Sequence, residues 1–353
     1  MKNSAARRVL TLGLVLFSTV VLSAQERHPW DGSPGPLEVQ RIDRASIRDA
    51  SRERSIVASI LIPEGEGPFP LIVFSHGYGG SKDAYQRITT QWASHGYVVI
   101  QPTHADSGAI QSIGDLFEVR DIWKNERPPQ WKDRVADLSL VVDSIDGLER
   151  RHRELRGKVD RTRIGVAGHS YGALTTELIA GTTSFAENPP LELLDDRVDA
   201  AIAMSPEGRS DDLGFTGESF STIAVPMMFM SGSLDRAAGG HPAEWRKEAF
   251  EYASSGGKYL VFIEGARHAS FSGRLLDQKE SSGRRRGVRR NQTGAGLFGS
   301  IDLEKEARIL SWINGASLAF WDATLKESAA ARQFLASDAL VEASDGAVEL
   351  KRK

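Results

Sequence analysis

Short apolar runs alternate along this chain with longer stretches in which apolar residues recur every three or four positions. Residues 71–74 (Leu-Ile-Val-Phe), 97–100, 163–167, 200–204, 226–230 and 259–263 have the length of strands buried on both faces. Residues 55–62 alternate and stop at Pro63, as a half-buried strand does. Tyr85, Ile88 and Trp92 share one helical face in a segment that Ser81 opens and Gly96 ends. Val135, Leu138, Val141, Val142, Ile145 and Leu148 share another, and further helices are predicted over 171–180, 243–253 and 303–321. Strands alternating with amphipathic helices imply an α/β fold with a mostly parallel central sheet and helices on both faces. No linker or internal repeat interrupts the pattern, so 53–325 is expected to be one domain.

The two ends depart from it. Lys2, Arg7 and Arg8 precede the mostly apolar residues 9–22, and the small residues Ser23 and Ala24 follow. That layout predicts a cleavable export signal over 1–24, since the run is too short for a bilayer core of ~30 Å. The mature chain is therefore expected in a periplasm or the medium, without stable membrane insertion. Residues 25–52 read as a polar lead-in arm with Pro29, Pro34 and Pro36. Residues 272–300 read as a solvated Gly/Ser/Arg-rich insertion, and 326–353 as a loose C-terminal tail.

Composition narrows the chemistry. Of 353 residues, 40% are hydrophobic and 26% charged, which excludes wholesale disorder. The absence of cysteine excludes disulfides, thiolate metal sites and a thiol nucleophile. A net charge of -3 provides no general field for nucleic acid or anionic lipid. No His/Asp/Glu spacing suggests a metal centre, and no cofactor is called for.

Gly168-His169-Ser170-Tyr171-Gly172 lies between a predicted strand and a predicted helix, the setting of a nucleophilic serine on a sharp turn. The Tyr171 amide would then point at a developing oxyanion. His76-Gly77-Tyr78-Gly79-Gly80 follows the buried strand 71–74, and the Tyr78 amide is the candidate second donor. A serine needs a base and the base needs a carboxylate, in the chain order Ser, acid, His. After Ser170 the histidines are His241 and His268. His268 follows the strand 259–263 and is the candidate base, while His241 reads as structural. Asp235 follows the strand 226–230 and is the leading acid, with Glu207, Asp211 and Asp212 as alternatives. His76, His104 and Glu207 are candidate pocket residues, though a structural role for His104 and Asp106 remains open. The Tyr78 and Tyr171 rings are candidate aromatic walls, and His95 and His169 read as locally hydrogen-bonded.

With these stretches assembled, the chain resembles the α/β-hydrolases. It is most similar in pattern to the secreted branch of dienelactone-hydrolase-like proteins, platelet-activating-factor acetylhydrolases and bacterial polyester hydrolases. The stretches that carry the resemblance are 74–80, 92–100, 168–172, 232–235 and 265–268. The resemblance implies Ser170 as nucleophile, His268 as base, Asp235 as acid, and the Tyr78 and Tyr171 amides as oxyanion donors. Dienelactone hydrolases use a cysteine, which this chain lacks. Polyester hydrolases carry a tryptophan where Glu207 stands, and the acetylhydrolases place their acid one strand earlier, where Ser205 falls. The expected activity is hydrolysis of small or short-chain carboxylic esters through an acyl-enzyme. Polyester or acetylated-phospholipid hydrolysis is the alternative, and a non-catalytic binding protein on the same scaffold is the rival of another class. Oligomeric state is not encoded in any of these features.

Overall fold

The computed structural model describes residues 29–109, 131–237, 239–276 and 302–353. The predicted export signal, residues 110–130 of the polar segment and residues 277–300 of the insertion lie outside the described residues.

Nine strands form one mixed sheet in the order β1-β2-β4-β3-β5-β6-β7-β8-β9. They are β1 Val39–Asp49, β2 Arg54–Pro63, β3 Phe69–Ser75, β4 Val98–Pro102, β5 Val159–His169, β6 Ala200–Met204, β7 Met227–Leu234, β8 Lys258–Arg267 and β9 Val348–Arg352. From β4 through β8 every neighbouring pair is parallel. β1, β2 and β9 attach antiparallel at the two sides. The central strands β4, β6 and most of β3 and β7 are buried on both faces, which is why they read as continuous apolar runs.

Helices cover both faces. Trp131–Asp143, Ile145–Arg151 and Tyr171–Ile179 pack their apolar sides on one. Gln86–Ser94, Leu303–Thr324 and Ala329–Ala336 cover the other. Trp92 Nε1 donates to Ser317 Oγ at 2.9 Å, joining two helices of the second face. Trp30 Nε1 and Tyr97 Oη donate to the two carboxylate oxygens of Asp322, at 2.9 and 2.7 Å.

Two expectations need correction. The lead-in arm contains an eleven-residue strand, β1 (11 res), paired along its length with β2. Its alternation is masked by charge, because one face is solvated at the rim of the sheet. The C-terminal segment is not loose either. It holds the helices Ala329–Ala336 and Ala339–Ala343 and then β9, which hydrogen-bonds to β8 from Tyr259 to Ile263. Smaller shifts follow local backbone. The helix carrying Trp92 starts at Gln86 rather than near Ser81, and the stretch 131–151 is two helices rather than one.

β3 lies between β4 and β5, so the chain leaves it in opposite directions on its two sides. The carboxyl ends of parallel strands at such a reversal form a crevice where loops converge. The loops after β3, β5, β7 and β8 carry 76–80, Ser170, Asp235 and His268 to that edge.

Candidate active site

Ser170 sits between β5 and the helix Tyr171–Ile179 with φ 58 and ψ -121, a conformation that L-residues rarely adopt. The turn is tight enough to require glycine on both sides. A Cβ on Gly168 would lie 2.1 Å from Gly172 O, and one on Gly172 would lie 2.0 Å from Ser75 O. The strain is held by neighbours, since the Ser170 N–H donates to Met204 O at 2.9 Å.

Three side chains from three loops meet in series. Asp235 Oδ1 and His268 Nδ1 are 2.8 Å apart, and His268 Nε2 and Ser170 Oγ are 2.9 Å apart. A carboxylate only accepts, so His268 carries its proton on Nδ1 and its Nε2 is free to accept from the serine. The arrangement is closed at one end and open at the other. Asp235 is fully buried, whereas the His268 side chain is 41% exposed and Ser170 is half-buried. Among the described residues no other carboxylate contacts His268, and Asp211 and Asp212 are exposed.

The acid is supported by groups that no short motif indicates. Arg246, itself buried, approaches Asp235 Oδ1 at 3.1 Å and donates to Asp235 O at 3.0 Å. Its Nη1 also donates to Ser205 O and Pro206 O, at 2.9 and 2.8 Å. Ser231 Oγ donates to Asp235 Oδ2 at 3.0 Å. Burial alone would favour the protonated acid, but Arg246 and His268 outweigh it and hold the carboxyl well below its usual range.

His169 links the base to the loop after β3. Its Nε2 is 3.0 Å from His268 O, an oxygen that only accepts, so Nε2 is protonated. Its Nδ1 then accepts from Tyr85 Oη at 2.9 Å, and the same hydroxyl accepts from the Gly77 N–H at 3.0 Å. Burial, with His268 alongside, keeps His169 neutral.

The candidate pocket residues are placed differently from expectation. His76 and His104 are buried, 1% and 2% exposed, and their ring nitrogens are engaged by the protein. His104 Nδ1 donates to Asp137 Oδ2 at 2.8 Å, and its Nε2 accepts from Ser75 Oγ at 2.9 Å. His76 Nε2 accepts from the His104 N–H at 3.1 Å, leaving Nδ1 to donate to Gly77 O at 2.7 Å. Both tautomers are thereby fixed, and burial with Arg134 nearby holds both rings neutral. These histidines support the loop from behind. The Tyr171 ring is also fully buried, 5.6 Å from the half-buried Tyr78 ring, so of these two it is Tyr78 that is exposed enough to offer an aromatic wall. Glu207 is buried after β6, and burial pushes its carboxyl up to about 7.

Below the loop, Arg134 forks onto Asp106 with both bonds at 2.9 Å. Burial opposes ionisation of Asp106, yet Arg134 and the Gly79 N–H hold its carboxyl down at about 2. Asp137 continues the network to Arg52 and Arg54. A cleft of about 420 Å³ opens beside Arg44, Arg54, Lys82, Thr103 and His104, and the three residues of the series do not line it.

The chain is similar to platelet-activating factor acetylhydrolases and to cutinases. The family model described as platelet-activating factor acetylhydrolase, isoform II, matches residues 47–127, which include 76–80 and stop before Ser170. A platelet-activating factor acetylhydrolase from Cavia porcellus is 25% identical over 285 residues, covering 71% of this chain and 56% of the relative. One from Bos taurus is 30% identical over 136 residues, covering 30% and 31%. Cutinase est1 from Thermobifida alba is 25% identical over 255 residues, covering 69% and 71%. The matched region thus spans about half or less of the acetylhydrolases and most of the cutinase. Among the described residues no helix is long and apolar enough to cross a membrane.

Proposed function

We propose that this chain is an exported serine carboxylic ester hydrolase that acts through an acyl-enzyme on small or short-chain esters. The observation that carries the reading is the series Asp235–His268–Ser170, with bonds of 2.8 and 2.9 Å and the imidazole proton on the side of the acid. His268 Nε2 takes the serine proton as Ser170 Oγ attacks the ester carbonyl. The Tyr78 and Tyr171 amides receive the oxyanion. His268 returns the proton to the leaving alcohol and then activates water, whose attack releases the acid and regenerates Ser170. Asp235 stays ionised and stabilises the imidazolium. The chemistry needs no cofactor.

The similarity to acetylhydrolases and cutinases supports an ester bond over an amide, and the 41% exposure of the His268 side chain leaves the base accessible. Acetylated phospholipids are the substrate class to try first after simple esters, because the family match covers the loop 76–80.

The test is turnover of p-nitrophenyl esters from acetyl to palmitoyl, with labelling by a fluorophosphonate. We expect fastest turnover on short chains and a stoichiometric label. Ser170→Ala should lose both, with a kcat drop on the order of 10⁵-fold or more and little change in melting temperature. Retained turnover in that variant would sink the reading. A folded wild type that takes no label would leave a binding protein on a hydrolase scaffold.

A further inference from the structure

The loop 76–80 carries only one backbone bond within itself, Gly80 N–H to Gly77 O at 3.0 Å. Other groups must therefore fix where its amides point. Arg134, on the helix Trp131–Asp143, reaches it from below and is 1% exposed. Its Nη1 donates to His76 O at 2.6 Å and to Ser75 Oγ at 3.2 Å, and its Nη2 donates to Gly77 O at 3.3 Å. Its fork on Asp106 is passed back to the loop, because Asp106 Oδ2 accepts from the Gly79 N–H at 2.9 Å. The residue before Tyr78 is thus held by its carbonyl and the residue after it by its amide.

The remaining amides are accounted for. Gly77 N–H goes to Tyr85, Gly79 N–H to Asp106 and Gly80 N–H to Gly77 O. Of the amides of residues 77–80, that of Tyr78 is the one without a hydrogen-bond partner among the described residues. The guanidinium also lies 4.3 Å from the centroid of the Tyr171 ring, so it touches the residue that carries the other donor. Stability alone does not account for the pair, since a buried ion pair contributes little net stability relative to well-packed apolar residues.

We propose that Arg134, held by Asp106, is a positioning residue that sets the direction of the Tyr78 amide and its spacing from the Tyr171 amide. It touches no substrate and acts only through those two residues. The inference rests on the esterase reading above.

The experiment titrates active sites with a fluorophosphonate, then measures kcat per titrated site, KM and inhibition by a trifluoromethyl ketone. The ketone accepts Ser170 Oγ and places an oxyanion between the two amides. For Arg134→Lys, which keeps the charge and loses the fork, kcat per titrated site should fall ~10–100-fold while KM changes less than about 3-fold. Inhibition by the ketone should weaken by the same factor as kcat/KM. A merely structural role would instead lower the titrated fraction and the melting temperature, with kcat per remaining site unchanged, and that result would overturn the proposal. Should Arg134→Lys not fold, Asp106→Asn removes the charge that holds the fork and should lower kcat per site by roughly 10-fold. An unchanged value in that variant overturns the proposal equally. A wild type that cannot be titrated removes the esterase reading itself, whereas a titratable wild type with unaffected variants removes only this inference.

Discussion

Each half of the site is braced by a buried arginine paired with an aspartate, but the pairs serve different ends. On the acid side, Arg246 contacts the carboxylate that orients His268, so its charge acts on the reacting series through one residue. On the loop side, Arg134 and Asp106 bond mainly to each other and to backbone, so their charges are largely spent on geometry. On the proposed reading, one arginine keeps a proton where it is needed and the other keeps an amide where it is needed. The Tyr85–His169 link ties the two halves, running from the Gly77 N–H to the His268 carbonyl.

The contrast can be broken most sharply at the acid. Asp235→Asn preserves shape but removes the acceptor that fixes the His268 tautomer, and kcat should fall on the order of 10⁴-fold with KM little changed. Steady-state kinetics on a p-nitrophenyl ester checks it, and a loss below tenfold would show that another group orients His268. Arg246→Met leaves the Asp235 charge buried and three carbonyls, those of Asp235, Ser205 and Pro206, without their donor. It should destabilise the fold by about 3–5 kcal/mol in denaturant unfolding, as when one partner of a buried pair is removed. A neutral result would mean that His268 and Ser231 suffice to hold the acid.

The smallest effect probes a carboxyl in neither pair. The Glu207 carboxyl is raised in the folded state to about 7 from 4.5. The folded state therefore binds its proton more tightly than the unfolded chain does. The stability it favours is complete below about pH 4.5, declines between there and about pH 7, and is absent above. Glu207→Gln should stabilise the protein by about 2 kcal/mol more at pH 8 than at pH 5. Equal gains at the two pH values would rule out ionisation as the cause.

The sequence was most readable where one short segment holds both the structure and the chemistry. Ser170, Asp235 and His268 each directly follow a strand with its own apolar run and turn, so their place at one sheet edge could be read from a few neighbouring residues. The supporting groups act across long separations, 58 residues from Arg134 to His76 and 41 from Arg246 to Ser205. A faint sign of them exists. Arg134 shares its helical face with Leu138 and Val141, and Arg246 shares one with Ala249 and Phe250. A charge on an apolar stripe marks a buried polar group that needs partners. His76 and His104 were legible as important but not as buried, because neighbouring residues do not tell which face of a loop meets the core. β1 and β9 were missed because strands at the rim carry little apolar signal.

Those rim strands govern how copies of the molecule behave when crowded. An unpaired strand edge is a template on which another chain can add. On one side β1 presents Arg41, Asp43 and Arg44 around an irregularity between Ile42 and Ala45, where the ladder loses its even spacing. On the other β9 is five residues long (5 res) and carries Glu349, Lys351 and Arg352. Accretion of copies rim to rim would have to align charged side chains along a short or uneven ladder. The nine-stranded sheet that lines up the reacting groups is therefore guarded at both borders against growing into a fibre.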